Sequence, residues 1–220
     1  MGTSNWQNIS FCIDILRRIR PKKILDVGVG FGRWGMLCRE FLDVWDGRVF
    51  PSEWEVEILG IEGYQKNIQP YHSVFYTRVI NSEALDFLSN TTERFDLIIL
   101  GDVLEHFSKE QGRNVLELCL LKSTFVLVIV PLGNHWQQGS SYGNAYEQHR
   151  SVWTVKELRK YSWVVKKKFR DYIVRPYGVF VLSATKRTLP TRSSIDKWKT
   201  LLFNRMPLLK TLLKGILSQR

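Results

Sequence analysis

Ile24-Leu25-Asp26-Val27-Gly28-Val29-Gly30-Phe31-Gly32-Arg33-Trp34-Gly35 changes character twice within twelve residues. Ile24, Leu25 and Val27, around the acid Asp26, read as a buried strand. Glycines at alternate positions, Gly28, Gly30 and Gly32, break it. Trp34, Met36, Leu37 and Phe41 then resume at helical spacing. A strand that feeds a glycine turn and then a helix makes a nucleotide-binding corner. Without Cβ atoms the backbone can approach a ligand, and the helix N-terminal N–H groups point at it. A dinucleotide fingerprint of the Gly-x-Gly-x-x-Gly type would place its third glycine at position 33, which is Arg33.

Around this corner, 220 residues at 44% hydrophobic and 24% charged give one ordinary globular domain with a substantial core. Cys12, Cys38 and Cys119 lie far apart in apolar helical contexts, and no Cys-x-x-Cys pair exists. They read as buried free thiols, which suits a reducing cytoplasm and offers no zinc site. The polar start Met1-Gly2-Thr3-Ser4-Asn5 and the absence of any apolar run near ~20 residues lead us to expect a cytoplasmic protein. The net charge of +11 is unevenly placed. Residues 1–152 carry 15 Lys/Arg against 18 Asp/Glu, residues 153–185 carry 8 against 2, and residues 186–220 carry 9 against 1. The glycine corner is therefore not a basic nucleic-acid groove, and no specific nucleic-acid partner is expected.

Elsewhere the patterns alternate. A helix leads to Arg20 and is stopped by Pro21, before a first strand at Lys22–Gly28 and a helix at Arg33–Val44. Trp45–Glu55 interrupts the rhythm as a longer turn, a short hairpin or a protein contact surface. Strands follow at Val56–Ile61, Tyr76–Ile80, Phe95–Leu100 and Thr124–Val130. Between them come a short helix at Asn67–Tyr71 interrupted near Pro70, a helix at Glu83–Leu88, and one capped by Ser108 that runs to Leu120. Pro131–Ser151 is a long loop rich in Gly, Ser, Asn and Gln, a length that is uncommon unless functional. Thr154 caps a helix to Tyr161, and two β-rich runs, Val164–Val174 and Tyr177–Thr185, close as an antiparallel pair. The expected fold is α/β: a Rossmann-like three-layer sandwich on a seven-stranded, mostly parallel sheet with an antiparallel terminal hairpin.

Ligands of such sheets bind beyond the carboxyl ends of the strands. Those ends read Asp26 to Gly32, then Glu62-Gly63-Tyr64, then Asn81-Ser82-Glu83-Ala84, then Gly101-Asp102-Val103-Leu104-Glu105-His106. A carboxylate at Glu62 can accept two hydrogen bonds from vicinal ribose hydroxyls, which would equally suit NAD. Asp-x-Gly-x-Gly-x-Gly, together with Phe95-Asp96-Leu97-Ile98-Ile99-Leu100-Gly101-Asp102-Val103-Leu104-Glu105-His106, resembles class I S-adenosylmethionine (SAM) methyltransferases of the small-molecule type, over about residues 20–185. The resemblance implies SAM as cofactor, held by Asp26, Gly28, Gly30, Gly32, Glu62, Tyr64, Ser82, Glu83 and Asp102. In that scheme Glu83 takes the adenine amino group, and Asp102 and His106 face the methyl donor. No Asn/Asp-Pro-Pro-Tyr follows the fourth strand, unlike enzymes that methylate amino groups of adenine, cytosine or glutamine. The fifth strand ends in Val130-Pro131-Leu132-Gly133 rather than Asp-Asn, unlike the magnesium-dependent catechol type.

The segment Asn144-Ala145-Tyr146-Glu147-Gln148-His149-Arg150-Ser151-Val152-Trp153 resembles one found in bacterial members of this group, including ones of glycan and natural-product pathways. It makes His149 the first candidate for general base, because an imidazole is suited to taking a proton from an acceptor hydroxyl. His135 is a second candidate, and His135, Tyr146, Arg150 and Trp153 are the expected acceptor-pocket residues. The implied reaction is an in-line attack on the sulfonium methyl, with a small-molecule or glycan acceptor and no metal. A non-catalytic SAM-binding scaffold and a nucleic-acid methyltransferase using the basic C-terminal third are the alternatives.

The domain is expected to end at residue 186. In residues 187–220, Ile195–Met206 and Pro207–Leu217 read as two helical segments. They carry an apolar stripe (Trp198, Leu201, Leu202, Leu208, Leu209, Leu212) flanked by Lys197, Lys199, Lys210 and Lys214. This pattern suits peripheral contact with an anionic membrane, packing on the domain, or a homodimer contact.

Overall fold

The computed structural model describes residues 5–141, 143–185 and 187–191. The chain divides into a unit spanning Met1–Thr188 and a second, Leu189–Arg220. The two expected tail helices lie outside the described residues.

Seven strands form one sheet: β1 (Lys23–Val27), β2 (Glu57–Glu62), β3 (Arg78–Asn81), β4 (Phe95–Gly101), β5 (Ser123–Pro131), β6 (Trp163–Arg170) and β7 (Pro176–Leu182). Their spatial order is β3-β2-β1-β4-β5-β7-β6. The first five are parallel, and β7 runs antiparallel to both β5 and β6. β4 and β5 are near-continuous apolar runs because both of their faces are covered. Leu25, Val27, Ile98, Leu100, Val126 and Val128 pack beneath α3 (Ala84–Asn90) and α4 (Lys109–Lys122), whose Leu88, Val115 and Leu116 are buried against them. Ile24, Ile58 and Leu97, of the opposite strand parity, are also fully buried. Truncating a side chain such as Ile98 to Ala would cost about 2–5 kcal/mol.

Strand order reverses between β1 and β4, so the crevice lies between their carboxyl ends. The register sets Val27 beside both Ile61 and Leu100. Gly28, Glu62 and Gly101 therefore emerge at one edge of the sheet. Before β1, α1 (Ile9–Ile19) stops at Arg20, which adopts the left-handed conformation and donates its N–H to Leu16 O. After the glycine loop, α2 spans Arg33–Leu42.

Four local expectations change. Trp45–Glu55 is not a hairpin but two 3-10 turns, Val44–Asp46 and Pro51–Glu53, gathered around the fully buried Asp43. Its carboxylate accepts from Arg48 Nε (2.7 Å) and Glu55 N (3.0 Å) and also pairs with Arg39. Arg39 in turn donates to Val56 O (2.9 Å) and lies over the Trp54 ring (4.3 Å). Burial pushes the Asp43 carboxyl upward, but those hydrogen bonds prevail and hold it below the usual range. Asn67–Tyr71 is interrupted at Pro70 as expected, but its two parts belong to 3-10 turns, Gln65–Asn67 and Pro70–Val74, rather than to one short helix. The helix after Thr154 is the single turn α5 (Val155–Leu158). The terminal hairpin turns at Asp171, where Oδ1 accepts from Ile173 N (3.1 Å) and Arg175 N (2.7 Å). That turn leaves Tyr172, Ile173 and Val174 exposed, although their residue types read as strand. β6 is the sheet edge, and its exposed Lys166, Lys167 and Lys168 guard it against pairing with other chains. Part of the basic C-terminal third is thus edge protection.

Candidate active site

A cleft of about 790 Å³ opens where β1 and β4 diverge, within the usual size of small-molecule sites. The glycine loop forms one wall. Gly28 has φ +76°, and a Cβ there would come within 2.8 Å of Val103. Four of the loop's N–H donors are consumed inside the chain. Gly28 N and Val29 N donate to Ile61 O (2.8 and 3.2 Å), Gly30 N to Glu62 Oε2 (2.9 Å) and Gly32 N to Val29 O (2.8 Å). A phosphate-binding loop presents such N–H groups to the ligand. This one turns four of them inward and presents the Glu62 carboxylate to the cleft instead, an acceptor suited to hydroxyl groups, with Arg33 lining the same cleft.

Below the loop, Tyr76 OH donates to Asp26 Oδ2 (2.5 Å) and accepts from Gly35 N (3.1 Å). A Cβ at Gly35 would stand 2.3 Å from the Tyr76 ring, so only glycine lets α2 approach so closely. Asp26 is 1% exposed and does not line the cleft. Burial raises its carboxyl to about 7, against the opposing effect of the Tyr76 bond. His72, absent from the expected site, is also buried here, with its ring 2.9 Å from where a Gly32 Cβ would lie. Its only sequence signal was its place after Pro70.

At the end of β2, the Glu62 carboxylate is buried at the cleft wall, accepting from Gly30 N and from Tyr64 N (2.9 Å). Each oxygen retains a further lone pair. Asn81, at the end of β3, donates to Glu62 O (2.7 Å) and Gly63 O (3.2 Å) and so fixes this turn. Ser82 and Glu83 line the cleft next to it. The hydroxyl of Tyr146 donates to Glu83, and its ring lies 6.3 Å from that of Tyr64. Tyr146, expected on the acceptor side, is therefore placed against the strand-end acid expected to meet adenine.

The opposite wall follows β4. Asp102 takes φ +55° and donates its N–H to Ile129 O (3.0 Å). A non-glycine residue there costs about 1–3 kcal/mol, a strain often found at functional sites. Glu105 and His106 follow in a 3-10 turn, Leu104–His106. The 131–153 loop docks on that turn: Arg150 N and Ser151 N donate to Glu105 O (2.7 and 3.1 Å). This sets the His106 and His149 rings 5.1 Å apart, edge to face. Burial pulls both imidazoles below their ordinary pKa, so both are neutral at pH 7. Burial and the nearby Asp102 push the Glu105 carboxyl well above the usual range.

Of the expected site residues, Gly28, Gly30, Glu62, Ser82, Glu83, Asp102, His106, Tyr146, His149 and Arg150 line one cleft. Gly32 and Tyr64 are not among the residues that line it. Two acceptor-pocket expectations are corrected. Trp153 is 1% exposed in the core, donating its Nε1–H to Leu104 O (3.2 Å) and Ser151 Oγ (3.0 Å), so its size serves packing. His135 is exposed and outside the cleft, because the loop turns away at Gly133 (φ +75°). The cleft also holds Trp136, Tyr172 and Arg175, with the Arg175 guanidinium 3.9 Å over the Trp136 ring.

No family model and no curated protein matches the chain. Solved structures do. A SAM-dependent methyltransferase from Archaeoglobus fulgidus aligns over 80% of this chain and 94% of its own, at 15% identity and TM-score 0.54. The 1,6-didemethyltoxoflavin-N1-methyltransferase of Burkholderia thailandensis, solved with its substrate and S-adenosylhomocysteine, aligns over 80% and 77%, at 15% identity and TM-score 0.57. The N-terminal domain of EvdMO1, solved with S-adenosylhomocysteine and D-fucose, aligns over 83% and 85%, at 14% identity and TM-score 0.56. At these identities the likeness shows a shared fold. Among the described residues, no helix is long and apolar enough to cross a membrane.

Proposed function

We propose that this chain, built on the fold seen in class I SAM-dependent methyltransferases, transfers a methyl group from SAM to a hydroxyl of a small-molecule or glycan acceptor. The observation that carries this reading is the glycine wall. The N–H groups of Gly28, Val29, Gly30 and Gly32 are spent within the chain, and Glu62 closes the wall with a buried carboxylate. A pyrophosphate would meet the Glu62 carboxylate there, and the N–H groups of Gly28, Val29, Gly30 and Gly32 are already taken, whereas a sulfonium nucleoside with a free ribose diol would find carboxylate lone pairs; Arg33 lines the same cleft. When bound, SAM supplies an electrophilic methyl group on a cationic sulfur.

The chain's own residues do the rest. Glu62 accepts the ribose hydroxyls, and Glu83, braced by Tyr146, lies where an exocyclic amine can donate to it. The acceptor oxygen rests against the His106–His149 pair, opposite the glycine wall. Arg150 and Arg175, which also line the cleft, suit a polyhydroxylated or anionic acceptor. Holding donor and acceptor in line can contribute about 7–11 kcal/mol to lowering the barrier. Calorimetry with SAM and with NAD tests the cofactor directly; heat from NAD alone rejects the reading. Methyl transfer from labelled SAM into cell extracts, followed by mass spectrometry, then identifies the acceptor, with His149→Ala as the inactive control.

A further inference from the structure

Glu105, His106 and His149 each place a ligand-type atom within 4.8 Å of the other two. We propose that these three form a binding site for a divalent first-row transition-metal cation, made of two imidazoles and one carboxylate. Three observations support it. His106 Nδ1 lies 3.2 Å from Gln148 O, and His149 Nδ1 lies 2.5 Å from Trp136 O. A carbonyl only accepts, so each Nδ1 carries the proton and each Nε2 keeps the lone pair. Outer partners of this kind orient metal-bound histidines. The second observation is Glu105. Its side chain is 98% buried (2% exposed), and Oε2 has no hydrogen-bond partner among the described residues. A buried carboxyl without a partner keeps its proton, and a cation beside it stabilises the carboxylate as that proton passes to solvent. The third is the scaffold. Both strands of the site are tied at the cluster by the bonds from Arg150 N and Ser151 N to Glu105 O, so the protein fixes the group without a ligand.

The donor set selects the cation. Two nitrogens and one oxygen suit Mn²⁺, Fe²⁺, Co²⁺ or Zn²⁺, whereas Ca²⁺ and Mg²⁺ favour all-oxygen sets. Ligands about 2.1 Å from zinc stand roughly 3.4 Å from one another, so the three side chains draw in on binding. His106 and His149 face the cleft, which leaves coordination positions open toward it. The part the cation plays rests on the methyl-transfer reading. It would receive the acceptor hydroxyl, lower its pKa, and let the oxygen attack as an alkoxide while the proton passes to solvent. His149 then serves as a ligand rather than as the general base.

The test uses the untagged full-length chain, stripped with chelator and titrated with Mn²⁺ by electron paramagnetic resonance and with Co²⁺ by visible absorption. One cation per chain is expected, with binding at least about tenfold weaker in Glu105→Gln and in His149→Ala and unchanged in His135→Ala. SAM calorimetry and circular dichroism run beside it. The proposal is overturned if no cation binds, or if it binds equally to His149→Ala with wild-type structure; that loop variant also covers any failure of Glu105→Gln to fold. Site-dependent cation binding without SAM heat upholds the metal site and rejects only the methyl-transfer reading.

Discussion

On the β1–β3 side of the cleft, the polar groups are held by partners within residues 26–81, the part of the chain that forms those strands. Glu62 is fixed by Gly30 and Tyr64, Asp26 by Tyr76, and the turn after β2 by Asn81. On the β4–β5 side, His149 and Arg150 reach the cleft only because a long loop docks its backbone on Glu105. The first wall is a rigid extension of the sheet, and the second is a loop whose contents could be exchanged without disturbing it. Such a division suits one constant ligand and one variable ligand. Substitutions on the first wall should therefore change stability or SAM affinity, and those on the second should damage turnover.

The largest expected effect comes from the floor of the first wall. Asp26 holds its proton in the folded chain up to about pH 7, against 3.8 when unfolded. Between those values the folded state binds one more proton, so this group lowers stability as pH rises from about 4 to 7. Asp26→Asn keeps an acceptor for Tyr76 and removes the effect. The stability difference between variant and wild type should shift in the variant's favour between pH 4 and pH 8, by on the order of 4 kcal/mol. Asp43 works in the opposite sense. Its depressed pKa gives stability that is present above the unfolded value and lost at lower pH as the folded carboxyl titrates. That contribution is common to both proteins and cancels in the difference. Parallel pH curves in urea denaturation would falsify the account of Asp26.

Next in size is Gly35→Ala. The new Cβ would meet the Tyr76 ring at 2.3 Å and force α2 from the sheet. A loss of about 1–3 kcal/mol is expected, read from the midpoint of denaturant unfolding. Glu62→Gln should leave the fold intact but weaken SAM binding by roughly 10–100-fold, since hydrogen bonds to a charged acceptor contribute about 1.5–3 kcal/mol. Arg150→Ala is its counterpart on the second wall, with unchanged SAM affinity and a raised acceptor KM. If both variants weaken SAM equally, the two walls are not functionally separate.

The same contrast explains what could be read from residues alone. β1, β4 and β5 are legible because strands covered on both faces must be apolar, and their ends carry the motif acids. The register then brings Gly28, Glu62 and Gly101 together without further information. The second wall depends on where a loop of mostly polar residues folds back. Nothing in the sequence spacing distinguished Trp153, which fills the core, from Trp136, which lines the cleft. His72 was equally hidden, because its place under the glycine loop follows from tertiary packing around Tyr76. At the hairpin, Tyr172-Ile173-Val174 has strand composition, and the hydrogen bonds of one aspartate overrode it.

Tyr146 joins the two walls and gives the smallest and most discriminating test. It belongs to the loop, yet its hydroxyl donates to Glu83 beyond β3, and its side chain is 43% exposed. Tyr146→Phe removes that one hydrogen bond and keeps the ring over Gly63. If the loop serves only the acceptor, SAM affinity should not change. If the loop also closes over the nucleoside end, SAM should bind about 2–10-fold more weakly, the measure of a half-exposed hydrogen bond of about 0.5–1.5 kcal/mol. The structure favours the second outcome, because Tyr64 and Tyr146 face each other across Gly63 at the mouth of the first wall. Calorimetry of SAM with the two proteins decides it. A weaker SAM in Tyr146→Phe alongside an unaffected one in Arg150→Ala would divide the loop itself, its first part belonging to the cofactor and its second to the acceptor.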